Sequence, residues 1–310
     1  MAPQLSRALV SRHASGRSGA YGAALLDVGQ DHLLWLLAEE RLFYDGRLIF
    51  KGGTSLRKFR LGNSGRFSTD LDFTAPNDDV VAACEVMNGA VIAGFTFVLD
   101  EESNDARHWR LRVTHTDLGT PGVDAAVEFA RRPLACLPER LGFIESPIHK
   151  AYEIRLPELP VIAVEEAIAE KLARYRRVPL ARDLYDLAKF AERTFDEALV
   201  RRLWVLKVWG DVVNDGRGSP PVDPTDVLTQ RRASVFKQES IGLLVDPAEI
   251  RDGKGRSYEY GVLASGRDSG EPRVGWRLVG LAMTRILRQR HRAIPGDSQL
   301  FHSVTFPGIL

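Results

Sequence analysis

The sequence predicts a mixed α+β fold, and three observations carry that reading. Apolar residues recur at helical spacing from Tyr21 to Phe43 and again from Val164 to about Thr194. Between these stretches lie short runs with strand character: Arg47–Phe50, Asp70–Phe73, Phe95–Leu99, Trp109–Thr114 and Ala125–Ala130. Most of the strand candidates precede the helical pattern that starts at Val164, and two parts are expected: a core over 1–160 and a largely helical C-terminal part over 161–310.

Taken in order, residues 1–18 are rich in Ser, Arg and Gly and are expected to fray. Leu25, Val28, Leu33, Leu36 and Leu37 mark the buried stripe of the first helix. Arg47–Phe50 reads as a buried strand that runs into a glycine turn. Thr54 is placed to cap a helix from Ser55 to about Leu61, which Gly62, Asn63 and Gly65 then break. Residues 78–92 read as helix. Leu156–Ile162 carries two prolines and reads as a connector. The helical pattern from Val164 onward is interrupted near Pro179. Residues 214–224 suit an exposed loop or subdomain boundary. Strands near Ile241–Val245 and Tyr258–Leu263 and a basic helix over about Arg277–Arg292 complete the pattern.

Composition narrows the class. The chain has 310 residues, 44% hydrophobic and 27% charged, as in ordinary globular proteins. A net charge of +1 excludes a uniformly basic nucleic-acid binder, so any such surface must come from local clustering. Cys84 and Cys136 are too few and too far apart for a disulfide framework or a zinc site. No apolar run reaches the ~18 residues of a membrane span, and no signal-peptide pattern opens the chain. A cytoplasmic protein without a membrane partner is expected.

The chemistry concentrates in residues 50–73. Gly52, Gly53, Thr54 and Ser55 form a glycine pair with two hydroxyls, followed by the basic run Arg57, Lys58 and then Arg66. Asp70 and Asp72 come next; on a strand, residues i and i+2 share a face, so both carboxylates project together. Hard oxygen ligands suit Mg²⁺, and glycines let backbone N–H groups approach phosphate. The conjunction points to metal-dependent nucleotidyl transfer. Gly52, Gly53, Thr54, Ser55, Arg57, Lys58 and Arg66 are the candidate nucleotide contacts. Asp124 and Glu128 lie at the later strand Ala125–Ala130, where Glu128 fits the alternation better. On the later helices, Lys171 falls inside an apolar stripe, where a lysine needs a negative partner. Asp183 falls on the apolar side of the next helix, with Asp186 at its edge.

These motifs resemble the signature of the AbiEii/AbiGii-type (MenT-like) nucleotidyltransferase toxins, a branch of the DNA polymerase β-like superfamily. The resemblance rests on Lys51–Arg57 and Arg66–Phe73, and on Glu170-Lys171-Leu172 followed by Arg182-Asp183-Leu184-Tyr185-Asp186-Leu187. It covers about residues 20–195. It implies a polymerase β-like nucleotidyltransferase core, with Asp70, Asp72, Lys171 and Asp183 catalytic and Lys171 also on the triphosphate. On that likeness a third metal carboxylate joins Asp70 and Asp72 from a neighbouring strand, and Glu128 is its candidate. It further implies Mg²⁺, an NTP donor, a cognate antitoxin, and an acceptor at the 3′ end of tRNA whose blockage stops translation. Arg174, Arg177, Arg285, Arg288 and Arg292 are candidates for RNA binding. Ser68, two residues before Asp70, is a candidate for regulatory phosphorylation, because added negative charge would repel the carboxylates. Two alternatives stay open: transfer to a protein side chain or small molecule, and a nucleotide-binding regulator that acts by contact alone.

Overall fold

Alternation along the strands decides what the sheet buries. The computed structural model describes residues 5–14, 20–76, 79–101, 107–152, 154–178 and 180–218. Among these, eight strands form one mixed sheet: β1 (Ile49–Lys51), β2 (Leu71–Thr74), β3 (Val91–Ile92), β4 (Phe95–Glu101), β5 (His108–His115), β6 (Ala126–Ala130), β7 (Glu139–Leu141) and β8 (Leu159–Val161). Their order is β3-β4-β5-β6-β2-β1-β8-β7. Strand β2 lies antiparallel to β1 and parallel to β6, which places it centrally.

Two rows of side chains cross these three strands on opposite faces. Phe50, Phe73 and Phe129 stand in register, with ring centroids 5.3 and 5.6 Å apart, and are buried. One residue along in register, Lys51, Asp72 and Glu128 form the other row. The apolar face continues through Phe95, Phe97, Leu111 and Val113. It is covered by α2 (Ala20–Glu39), whose Gly29 would bring a Cβ within 3.3 Å of Phe95. Burial of these rings drives the layer arrangement.

The remaining helices are α1 (Arg7–His13), α3 (Gly52–Leu56), α4 (Val80–Met87), α5 (Val164–Arg177), α6 (Ala181–Ala191) and α7 (Glu197–Trp209). The fold is thus mixed α/β, as the sequence predicts. Several elements differ from expectation. Part of the terminus expected to fray is α1, capped by Ser6, which accepts from the Leu9 N–H at 3.4 Å. Helix α3 starts at Gly52 and passes into a π-turn over Arg57–Leu61, so Thr54 lies inside it and does not cap it. Helix α4 stops at Met87; Gly89, at φ +79, then turns the chain into β3. The expected connector contains β8. Its bond to β1 comes from the Ile162 N–H to the Phe50 carbonyl at 3.0 Å, so the absent N–H of Pro160 is not needed there. Helix α7 was not expected; Asp196 caps it, accepting from the Ala198 and Leu199 N–H groups at 2.9 Å. The break at Pro179 matches the gap between α5 and α6. The strands at 241–245 and 258–263, the basic helix at 277–292 and most of the 214–224 loop lie outside the described residues.

Candidate active site

Asp72 sits between Lys51 on β1 and Glu128 on β6, directly paired with both in register. Strand β1 ends at Lys51, and Gly52 turns into α3 with φ +77. A Cβ there would fall 1.7 Å from Oδ2 of Asp72, so only glycine lets the turn close over this carboxylate. A Cβ on Gly53 would meet Arg66 Nη2 at 2.6 Å and Ser68 Oγ at 2.7 Å. Glycine is therefore required at 52, while at 53 any side chain would have to displace the ends of Arg66 and Ser68. Asp70 lies just before β2, and its carbonyl accepts from Thr54, whose Oγ1 donates at 2.5 Å. Ser55 Oγ donates to the Gly52 carbonyl at 2.9 Å. Both hydroxyls are buried and stitch the glycine turn to itself and to the strand.

The basic run divides in two. Arg57 and Lys58 are buried against α2: Arg57 binds both oxygens of Asp27, and Lys58 bridges Asp27 and Asp31. They face that helix and do not line the cleft described below. His13, His149 and Tyr152 complete this buried cluster around the same two aspartates. Arg57 also donates to the Gly65 carbonyl at 2.7 Å, and Gln30 donates to the Ser68 and Thr69 carbonyls at 3.2 and 2.8 Å. Helix α2 thus suspends the loop leading into the two aspartates. Arg66 turns the other way, forming a two-pronged pair with Asp186 at 2.9 and 3.1 Å.

Asp183 and Lys171 meet in the interior, as the helical periodicity requires. Lys171 Nζ lies 3.2 Å from Asp183 and 2.8 Å from Asp186. Arg174 adds a fork onto Asp183 at 2.6 and 2.8 Å. Burial opposes ionisation of Asp183, but Lys171 and then Arg174 hold its carboxyl well below the usual range. Helix α5 is thereby pinned to the start of α6. Arg182, the neighbour of Asp183, reaches Oδ2 of Asp70 at 3.2 Å.

A cleft of about 410 Å³ opens over this floor, lined by Asp72, Glu128, Lys171 and Arg174 among others. Arg177 lines its outer part and pairs with Asp211 at 2.8 Å, as does Arg132 at 3.2 Å. Glu170 also lines the cleft, clamped by Lys51 at 3.0 Å and Lys207 at 3.0 Å. Burial raises its carboxyl, but the two lysines outweigh that and bring it to about 2. Sequence reasoning missed this bridge. One signal was available: Lys207 interrupts the apolar run Val205-Leu206-Lys207-Val208-Trp209, and a buried lysine demands an anion. Arg285, Arg288 and Arg292 lie outside the described residues.

The carboxylates fit a cation. Burial first, then the charges of Glu128 and Asp70, push the Asp72 carboxyl up to about 6. That is the signature of negative charge gathered without enough compensation. The donors are all hard oxygens, matching Mg²⁺ in type, and Gly52 leaves Oδ2 of Asp72 uncrowded by a side chain. Among the described residues, no three carboxylate, imidazole or thiol groups are already drawn together as a cage.

A mixed sheet with a glycine turn folded onto paired strand carboxylates suits a nucleotidyltransferase, and a family match establishes that class. Residues 35–240 match the family described as "Nucleotidyl transferase AbiEii toxin, Type IV TA system". The chain belongs to this AbiEii nucleotidyltransferase toxin family. Among solved structures it is similar to MenT4, a nucleotidyltransferase toxin from Mycobacterium tuberculosis. The two are 53% identical, with a TM-score of 0.82 over 96% of this chain and 93% of the other. No curated protein sequence matches the chain. The protein is therefore an enzyme, the toxin of a type IV toxin–antitoxin system with a cognate antitoxin, and an NTP is its donor. No helix among the described residues is long and apolar enough to cross a membrane.

Proposed function

We propose that the enzyme moves a nucleoside monophosphate from an NTP to the 3′ end of an RNA, with Mg²⁺, and that tRNA in the cytoplasm is the acceptor. Capping that end prevents aminoacylation and stops translation. The observation that carries the reading is the row Lys51–Asp72–Glu128 with Gly52 folded directly onto it. Asp70, Asp72 and Glu128 would hold the cation, which when bound supplies charge neutralisation at the reacting phosphate.

The chain's own groups do the rest. Gly52 and Gly53 bring the backbone of the turn close against the carboxylates, and the backbone N–H groups there are the proposed contacts for phosphate oxygens. Lys171, already oriented by Asp183 and Asp186, presents its ammonium in the cleft for the triphosphate. Arg66, held by Asp186, sets the height of the loop bearing Ser68. Thr54, Ser55, Arg57 and Lys58 keep the turn rigid from behind. Asp183 fixes Lys171 and Arg174 in place. The helical part from 161 onward closes the site and carries acceptor contacts, with Arg174 and Arg177 at the cleft and Arg285, Arg288 and Arg292 beyond the described residues. Phosphorylation of Ser68 belongs to the same proposal. Its Oγ lies 2.7 Å from where a Gly53 Cβ would stand, so a phosphate there would crowd the glycine turn and add negative charge beside the carboxylates.

The test is incubation with Mg²⁺, each α-³²P-labelled NTP in turn and total tRNA, beside Asp70→Ala. Label on tRNA with wild type and none with the variant supports the proposal. Label confined to protein sinks the RNA acceptor and leaves the enzyme.

A further inference from the structure

Asp70 would meet a cation with both carboxylate oxygens already engaged. Its Oδ1 accepts from Thr69 Oγ1 at 3.0 Å, and its Oδ2 lies 3.2 Å from Nη1 of Arg182. Asp72 differs: among the described residues no hydrogen-bond donor reaches it, and its registered neighbour Glu128 is another carboxylate. One aspartate is poised for a cation and the other is occupied by a guanidinium.

The origin of that guanidinium is fixed. Arg182 stands in the first turn of α6, beside Asp183, which is fully buried and clamped by Lys171 and Arg174. The pairing of Asp183 anchors the start of the helix, while the side chains of Arg182 and Asp70 are each 27% exposed. An ion pair that wet is worth only about 0–1 kcal/mol, so opening it is cheap. A cation in the first turn also opposes the helix dipole, so α6 itself does little to keep the arginine there. A guanidinium and a divalent cation compete for the same Oδ2, and a freed arginine fork matches phosphate oxygens.

We propose that Arg182 guards Asp70 in the cation-free enzyme, and that cation binding at Asp70 releases it onto the incoming triphosphate. The proposal rests on the reading of Asp70 as a cation ligand. Cation and nucleotide then bind cooperatively, because the group that the first displaces is the group that the second needs.

The experiment titrates Mn²⁺ into the full chain by calorimetry, without nucleotide. Removing the competitor in Arg182→Gln is expected to tighten Mn²⁺ by about two- to fivefold, the range of an ion pair worth up to about 1 kcal/mol. Its thermal midpoint should match wild type. With Mn²⁺ saturating, the same variant is expected to bind a non-hydrolysable nucleoside triphosphate about tenfold more weakly, the cost of one charge-assisted contact. Arg182→Lys, which keeps the charge, should stay closer to wild type in both. Unchanged or weaker Mn²⁺ binding by Arg182→Gln overturns the exchange and leaves the cation reading standing. Absence of Mn²⁺ binding by wild type and variant alike overturns both.

Discussion

Gly52 and Asp72 occupy a single space, since a Cβ on the glycine would lie 1.7 Å from Oδ2 of the aspartate. The glycine also sits at φ +77, a conformation that costs any other residue about 1–2 kcal/mol. Gly52→Ala must therefore displace the carboxylate as well as strain the turn. Transfer is expected to fall by at least about a hundredfold, with some loss of stability. Gly119 offers the control: it has φ +79, but nothing lies within 4 Å of its added Cβ. Gly119→Ala should cost only about 1 kcal/mol in a denaturant melt and leave transfer intact.

Asp72 carries a pH signature. Its carboxyl titrates near 6 in the folded chain against an ordinary 3.8, so the folded state binds the proton more tightly than the unfolded chain. The charged form therefore weakens the cation-free fold above about pH 6, and that penalty disappears as pH falls toward 4. Asp72→Asn should be more stable than wild type by about 1–3 kcal/mol at pH 7.5 with chelator present. By pH 4 the two melts should coincide. A constant gap across that window would contradict the assignment.

Glu170 has the opposite sign. Its folded carboxyl lies at about 2 against an ordinary 4.5, through Lys51 and Lys207. Its contribution is complete above about pH 5 and is lost as pH falls through 2. Glu170→Gln should destabilise the protein by about 2–3 kcal/mol at neutral pH. Urea melts from pH 7 down to 2.5 should show that deficit shrinking.

Asp183 and Asp70 differ as targets. Asp183 is fully buried beneath Lys171 and Arg174, so Asp183→Ala takes the paired carboxylate from Arg174 and leaves Lys171 with Asp186 alone, which should cost about 3–5 kcal/mol. Asp70 is partly exposed, and Asp70→Ala should cost under about 1 kcal/mol. Thermal melts of both variants check this ordering. Only Asp70→Ala is then a folded, inactive control.

How much of this was legible follows from sequence distance. Gly52, Gly53, Asp70 and Asp72 lie in one short stretch, and its local pattern is enough to read the approach of the glycine turn to Asp72 that the fold shows. The burial of Lys171 and Asp183 was readable from helical phase, though not that Arg174 would share the aspartate. Arg57 and Lys58 read as phosphate ligands because local spacing cannot reveal what faces them; Asp27 and Asp31, on α2, claim both. The Lys51–Glu170–Lys207 bridge joins three elements far apart in the chain, and no periodicity connects them. Strand β8 has three residues, one a proline, and exists because β1 and β7 flank it. Its own composition argues against it.

The central claim is transfer to the 3′ hydroxyl of RNA at the Asp70–Asp72 site, and 3′-end mapping tests it most directly. Purified tRNA, either intact or with its terminal ribose oxidised by periodate, would be incubated with wild type and with Asp72→Asn, using the NTP that labels best. The account predicts nucleotide addition at the 3′ end of intact tRNA by wild type alone. Equal labelling of the oxidised tRNA, or unchanged labelling by Asp72→Asn, would contradict it.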